Sequence, residues 1–285
     1  MIKIIATDLD GTLLSSTGEI SEKNIEAIRK AQKAGIEVVV ATGRSYASAS
    51  IPLKKAALNC PIICVNGAEL YSVDGQLIHS ITMNKTLIDE IIKVTNNEQA
   101  YLELYTNEGI YAKKQTNFID ILTKIISLNH PEITKEEVEK RAEQRFQDES
   151  FIFTDDFSTV TNQAHIEFVK ALAFSFESDK LEKIKQTFKN RNDLIVTSSG
   201  PDNIEFNHPE AQKGIALKAF ADKLGFSSEN IMAIGDHYND LSMLKLSGRS
   251  VAMENAVEEI KAQADFITSK NDHDGVAKAI EAILP

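Results

Sequence analysis

The segment Ile4-Ile5-Ala6-Thr7-Asp8-Leu9-Asp10-Gly11-Thr12-Leu13 constrains this chain more than any other. A short apolar run of strand character ends in two carboxylates spaced i, i+2, and a Gly-Thr turn follows at once. A strand of this kind is buried on both faces, as in a parallel sheet covered by helices. Bringing two acids to its carboxyl end is costly unless a cation or a reaction uses them. The chain is therefore expected to form an α/β sheet with a polar crevice at its strand ends.

The rest of the sequence supports that expectation. Ser21 caps a helix in which Ile25, Ile28, Ala31 and Gln32 fall on one stripe, and Gly35 follows its end. Ile36–Ala41 reads as a second buried strand, completing a right-handed βαβ unit with parallel strands. Residues 62–65 give a third strand, and Ala68–Tyr71 and Leu77–Ile81 flank the hairpin turn Asp74-Gly75. From about residue 84 the texture changes. Helical periodicity at 85–97, 116–128 and 178–189, strands near 101–105, 109–113 and 166–174, and a charge-rich stretch at 130–149 describe a separate α+β module. The βα alternation returns after about 190, with a helix at 213–224, the strand Asn230–Ile234, strands near 249–252 and 265–267, and a final helix at 275–284. The expected organisation is one split α/β domain, residues 1–83 with 190–285, interrupted by an inserted module at 84–189.

Composition narrows the function. A formal net charge of -11 argues against a nucleic-acid binder. No apolar run reaches the length of a membrane span, and the N-terminus reads as a strand rather than a signal peptide, so the cytoplasm is the expected compartment. Cys60 and Cys64 lack companion ligands at zinc spacing and read as buried thiols. No GxxxxGK[ST] loop is present, which disfavours nucleotide hydrolysis by that route. Nothing in the sequence bears on oligomeric state.

Chemistry-bearing groups recur just after apolar strands: Asp8 and Asp10 after the first, Thr42 after the second, Asp236 after a later one with Asn239 and Asp240 close behind. In an open parallel sheet these ends converge on the ligand crevice, and the chemistry they suit is phosphoryl transfer. Asp8 and Asp236 can share a hard ion such as Mg²⁺. Asp8 can attack phosphorus to form an aspartyl-phosphate, and Asp10 can protonate the leaving oxygen and later deprotonate water. Thr42 and the Gly43 amide can bind phosphoryl oxygens, Lys213 at a helix start can offset charge on nucleophile and phosphate, and Asn239 can position the phosphate or a metal-bound water.

Four blocks carry a resemblance to a known family: Asp8-Leu-Asp10-Gly-Thr, Thr42-Gly-Arg44, Lys213-Gly214 and Gly235-Asp236-His-Tyr-Asn239-Asp240. They occur in family order and span nearly the whole chain, joined by Val65-Asn66-Gly67-Ala68, Val251-Ala-Met-Glu-Asn255-Ala256 and Asp274-Gly275-Val276. The chain resembles the haloacid dehalogenase superfamily, specifically the Cof-type phosphatases with a large α/β cap (type IIB). That resemblance implies a Rossmann-like three-layer core with a mainly parallel sheet plus an inserted α+β cap. It implies a phosphoric monoester hydrolase with Asp8 as nucleophile and Asp10 as acid and base. It also implies Mg²⁺ held by Asp8, the Asp10 carbonyl and Asp236, and phosphate contacts from the Leu9 backbone, Thr42, Gly43, Lys213 and Asn239. Cap and core would close over a small phosphorylated metabolite such as a sugar phosphate. The run His208–Gln212 and Glu254 depart from the common pattern and affect loop shape, not reaction class.

Plainer readings stand beside these. Asp8–Glu19 begins like a calcium loop, but Leu13 occupies the position that needs glycine and a strand precedes it. Thr42-Gly-Arg44 alone is also a capping turn, and Lys213 alone also a solvated helix residue. Arg44 either contacts substrate or pairs with a carboxylate. Asp240 either joins the metal's surroundings or, the favoured reading, orients Lys213. His237, between Asp236 and Asn239, either reaches substrate or a metal-bound water or is simply polar. A phosphomutase with the same nucleophile and a non-catalytic phosphate-binding regulator remain as alternatives to the phosphatase.

Overall fold

A computed structural model describes residues 1–113, 134–198 and 202–284. The strands in chain order are β1 (Ile4–Thr7), β2 (Glu37–Ala41), β3 (Ile62–Cys64), β4 (Glu69–Tyr71), β5 (Leu77–Ser80), β6 (Tyr101–Thr106), β7 (Gly109–Lys113), β8 (Phe151–Thr154), β9 (Phe168–Phe174), β10 (Ile195–Thr197), β11 (Asn203–Asn207), β12 (Ile231–Gly235), β13 (Arg249–Ala252) and β14 (Phe266–Ile267). The longer helices among the described residues are α1 (Glu22–Lys33), α2 (Tyr46–Lys55), α3 (Lys85–Asn97), α4 (Lys135–Asp148), α5 (Ser178–Phe188), α6 (Lys213–Lys223), α7 (Leu241–Leu246) and α8 (Gly275–Glu281). The chain divides into two compact units, Met1–Ser80 with Glu210 onward, and Ile81–Pro209.

The first unit is a Rossmann-like α/β fold. Its eight-stranded sheet has the order β14-β13-β12-β1-β2-β3-β4-β5. All neighbours from β14 to β3 are parallel, and the β3-β4-β5 meander adds an antiparallel edge. The centre of the sheet is buried on both faces, which is why β1 and β2 read as uninterrupted apolar runs rather than alternating ones. Helix α1 buries Ile25, Ala27, Ile28 and Ala31 along one stripe and packs beside α8. The Ser21 side chain accepts from the Asn24 N–H at 3.2 Å, the expected cap. Thr7 of β1 lies opposite Val40 of β2 on one side and Ile234 of β12 on the other. The segments leaving these three strands are therefore neighbours, and they carry Asp8, Thr42 and Asp236.

The second unit is an α+β module around a six-stranded sheet of order β10-β11-β9-β6-β7-β8, antiparallel except for the β7–β8 pair. Leu87, Ile88 and Ile91 of α3 and Leu181, Ile184 and Phe188 of α5 share a core with Leu102, Leu104, Ala171, Ala173, Ile204 and Phe206 of the sheet. Neighbouring positions are charged but paired: Glu103 receives Arg145 through two bonds of 3.0 and 2.7 Å, and the buried Lys170 meets Glu205 at 3.0 Å.

Several sequence expectations are corrected here. The split unit resumes at Glu210, not 190, because β10 and β11 join the second sheet through β9. The first boundary falls at Ser80 rather than 83, since the Met83 N–H donates to the Phe168 carbonyl at 2.7 Å. The charge-rich stretch 130–149 contains α4, begun by a capping box between Thr134 and Glu137. The strand β8 and the helix α2 had no counterpart in the sequence reading. The helix expected at 116–128 lies outside the described residues. Among the described residues no helix is long and apolar enough to cross a membrane.

Two glycines differ instructively. Gly35, just beyond α1, has φ +76° with nothing near the position a Cβ would take. Gly67 has φ +105°, and a Cβ there would lie 2.4 Å from the Gln212 carbonyl oxygen. Gly35→Ala is expected to cost about 1 kcal/mol, and Gly67→Ala roughly 2–4 kcal/mol because overpacking against backbone adds to the strain. Denaturant unfolding of the two variants checks this, and the reverse order contradicts it.

Candidate active site

The site is built from the loops that leave β1, β2 and β12 and from the first residue of α6. Asp8 directly follows β1. Its N–H donates to the Ile234 carbonyl at 2.9 Å, which extends the ladder by one residue and buries the side chain. Lys213 opens α6 and is fully buried. Its ammonium donates to Asp8 Oδ1 at 2.5 Å and to Asp240 Oδ1 at 2.6 Å. The other Asp240 oxygen accepts the backbone N–H groups of Asp236 and His237 at 2.9 and 3.0 Å. Both oxygens of Asp240 are thus engaged in orienting Lys213 and the β12 loop. Close packing makes this possible: a Cβ on Gly235 would sit 2.6 Å from the Asp240 side chain, and one on Gly214 would sit 2.3 Å from the Ser242 carbonyl oxygen.

Asp236 faces Asp8 across this cluster. Oxygens of Asp8, Asp236 and Asp240 all lie within 4.8 Å of one another. Asp236 Oδ1 accepts the Thr12 hydroxyl at 2.8 Å. Its Oδ2 occupies the space left by Gly11, where a Cβ would be 2.5 Å away. Three carboxylates against one ammonium leave a buried negative excess. Burial, then Asp240, then Asp236 hold the Asp8 carboxyl well above the usual carboxylate range despite Lys213. Burial and Asp240 push Asp236 up to about 6, opposed by the Thr12 hydrogen bond. Burial alone would lower the Lys213 ammonium, but Asp240 and Asp8 outweigh it and raise it. A hard, oxygen-rich donor set with uncompensated charge suits Mg²⁺, and Asp8 and Asp236 fit it; Asp240, its oxygens committed elsewhere, does not.

The remaining expected residues fall into two groups. Asp10 lies in the turn after Asp8, beside Gly11 at φ +74°. It receives Arg44 Nε at 2.8 Å and Nη2 at 2.5 Å, so Arg44 pairs with a carboxylate here. Thr42 is buried, and its N–H continues the ladder to the Ile63 carbonyl at 2.8 Å. Its hydroxyl oxygen accepts the Arg44 N–H at 3.2 Å. Gly43 faces Asn66, whose Oδ1 would lie 2.9 Å from a Cβ at that position. The same oxygen accepts Asn239 Nδ2 at 3.2 Å. Leu9 is completely buried. The His237 ring stands edge-on to Tyr238, with centroids 5.2 Å apart.

Sequence reasoning assigned no role to Thr12, Asn66, Ser242 or Asn255. Asn66 ties the Thr42-Gly43 turn to Asn239, and its own N–H donates to the Thr42 carbonyl at 3.0 Å. Asn255 Nδ2 holds the Gly11 carbonyl at 2.8 Å. The available signal for Asn66 was its place before Gly67 in a run that takes three successive positive φ angles, 50°, 57° and 105°.

A family model described as haloacid dehalogenase-like hydrolase matches residues 5–280. The chain is 35% identical over 285 residues to the phosphatase YwpJ of Bacillus subtilis (strain 168), covering 99% of this chain and 100% of that protein. It is 34% identical over 288 residues to the 5-amino-6-(5-phospho-D-ribitylamino)uracil phosphatase YwtE of the same organism, covering 99% and 98%. Among solved structures, a haloacid dehalogenase-like hydrolase from B. subtilis matches with a TM-score of 0.89 at 35% identity, covering 99% of this chain and 100% of that one.

The charge excess has a consequence in chelator. Asp236 titrates higher in the folded chain than unfolded, so the folded state binds more protons between the two values. Its contribution to stability therefore falls as pH rises through about 6. Asp236→Asn, which keeps an acceptor for Thr12, is expected to stabilise the metal-free protein near neutral pH by roughly 1–3 kcal/mol. Chemical denaturation in EDTA reads this, and a destabilised variant contradicts it.

Proposed function

The chain belongs to the haloacid dehalogenase-like hydrolases, and from that premise we propose that it is a Mg²⁺-dependent phosphatase acting on a small phosphorylated metabolite through an aspartyl-phosphate on Asp8. The observation that carries this reading is the buried ammonium of Lys213 held between Asp8 and Asp240. A carboxylate at the end of a sheet, aligned by a lysine that no solvent reaches, suits a nucleophile more than a structural ion pair.

In this scheme Asp8 attacks phosphorus and the bond to the leaving oxygen breaks. Asp10 delivers a proton to that oxygen. Asp10 then takes a proton from the water that attacks the phosphorus of the aspartyl-phosphate, releasing inorganic phosphate and restoring Asp8. Lys213 offsets charge on Asp8 and on the phosphoryl group. The Thr42 hydroxyl, whose oxygen already accepts from Arg44, directs its proton toward a phosphoryl oxygen. The Gly43 and Leu9 N–H groups and the Asn239 amide supply further donors. Asp8, Asp236 and the Asp10 carbonyl would hold Mg²⁺, which when bound offsets the charge of the carboxylates and the phosphate. That offset matters because burial and the neighbouring acids raise the Asp8 carboxyl above its usual range.

The relatives YwpJ and YwtE are named as phosphatases, the latter of a phosphoribitylamino-uracil, which supports a phosphomonoester of small size as the substrate class here.

Asp8→Asn is expected to lower phosphate release from an aryl phosphate by on the order of 10⁴-fold or more; a rate near wild type sinks the nucleophile assignment. EDTA should abolish activity and Mg²⁺ restore it, and full activity in EDTA rejects the metal. A panel of sugar, polyol and cofactor phosphates ranked by kcat/KM identifies the substrate. Isomerisation without free phosphate would instead indicate a mutase.

A further inference from the structure

Asp10 must present its carboxyl to a leaving oxygen in a defined direction, yet nothing in its own backbone setting ensures this. It sits in a turn next to the left-handed Gly11, its side chain is 54% exposed, and terminal carboxyl torsions are broad. Among the described hydrogen bonds, the ones that restrain its carboxylate come from Arg44: Nε to Oδ2 at 2.8 Å and Nη2 to Oδ1 at 2.5 Å. This is a two-point planar grip, which fixes both the direction and the plane of the carboxylate, as a single ammonium would not. Arg44 is itself anchored on the phosphate-binding turn. Its N–H donates to Thr42 Oγ1 at 3.2 Å, its carbonyl accepts the Val65 N–H at 2.9 Å, and Nη1 approaches Ser48 Oγ at 3.4 Å.

We infer that Arg44 is the positioning residue for Asp10, aiming the proton-transfer carboxyl from the Thr42-Gly43 turn rather than gripping the substrate phosphate. The inference rests on the phosphatase reading above and adds a role that the family blocks do not specify. The Nε–Nη2 edge of the guanidinium, the edge that makes a side-on two-point grip, is turned to Asp10. The turn that binds the phosphate and the group that protonates the leaving oxygen are then one connected element, so the proton donor is set relative to the phosphate.

The consequence is a dependence on the leaving group. A misaimed Asp10 harms esters whose leaving oxygen needs a proton and spares those that leave as stable anions. The experiment measures kcat/KM of wild type, Arg44→Gln and Arg44→Lys with an alkyl phosphate, phenyl phosphate and 2,4-dinitrophenyl phosphate, together with inhibition by inorganic phosphate. For Arg44→Gln the alkyl phosphate is expected to lose about 100-fold and the dinitrophenyl ester less than about 3-fold, with phosphate inhibition changed by less than about 3-fold. Arg44→Lys keeps the charge without the planar grip and should show the same selective loss. Equal losses across all three esters, accompanied by weaker phosphate inhibition, would overturn the inference and make Arg44 a phosphate contact. Unchanged kinetics in both variants would overturn it as well. A wild-type protein that cleaves none of the esters defeats the phosphatase reading itself, an outcome distinct from both.

Discussion

The buried contact of Lys213 with Asp8 and Asp240 is the interaction on which the rest of the site depends. A lysine with no solvent exposure is tolerated only where its charge is matched and its donors are used. Here the match comes from two strands that are neighbours in the sheet, β1 and β12, and from the helix that Lys213 itself opens. Removing either acid would leave Lys213 with one carboxylate partner instead of two and a buried donor short of an acceptor, a loss of about 1–3 kcal/mol. The same contact draws together loops far apart in sequence, so it is structural and chemical at once.

Its charge balance is deliberately incomplete in the chemical sense. Three acids meet one ammonium, and burial, with the neighbouring acids adding to it, raises both Asp8 and Asp236. A cluster in this state favours a cation, and the donor atoms left uncommitted by protein hydrogen bonds belong to Asp8 and Asp236 rather than Asp240. Glycines 11, 214 and 235 allow the approach: each faces a side chain or backbone atom at a distance that a Cβ would not permit. Close packing and electrostatics are therefore one constraint here, since the acids can approach only where side-chain volume has been removed.

Much of this was legible in the sequence because it is local. The strand-then-acid pattern at Asp8, the helix cap at Ser21 and the Asp74-Gly75 hairpin each reside in a few consecutive residues, and each has its counterpart in the structure. Asp240, read from the sequence as an orienter of Lys213, accepts the Lys213 ammonium and the N–H groups of Asp236 and His237. What was not legible is non-local. The strands β10 and β11 belong to the inserted unit because they pair with β9, a fact of register that composition does not carry. The helix α4 was obscured by its charge, since its polar surface weakens the apolar period on which helix recognition relies. The Arg44–Asp10 grip joins residues 34 positions apart, and the sequence offered two partners for Arg44 without a means of choosing.

The central claim is that Asp8 itself carries the phosphoryl group during turnover. Acid-quenching the enzyme within its first turnover with a phosphate ester, followed by peptide mass mapping, tests this most directly. The account predicts a phosphoryl increment on the peptide containing Asp8, absent when Asp8 is replaced by Asn. A phosphoryl group on any other residue, or none on Asp8 while phosphate accumulates at the full rate in a quench fast enough to catch it, would contradict it.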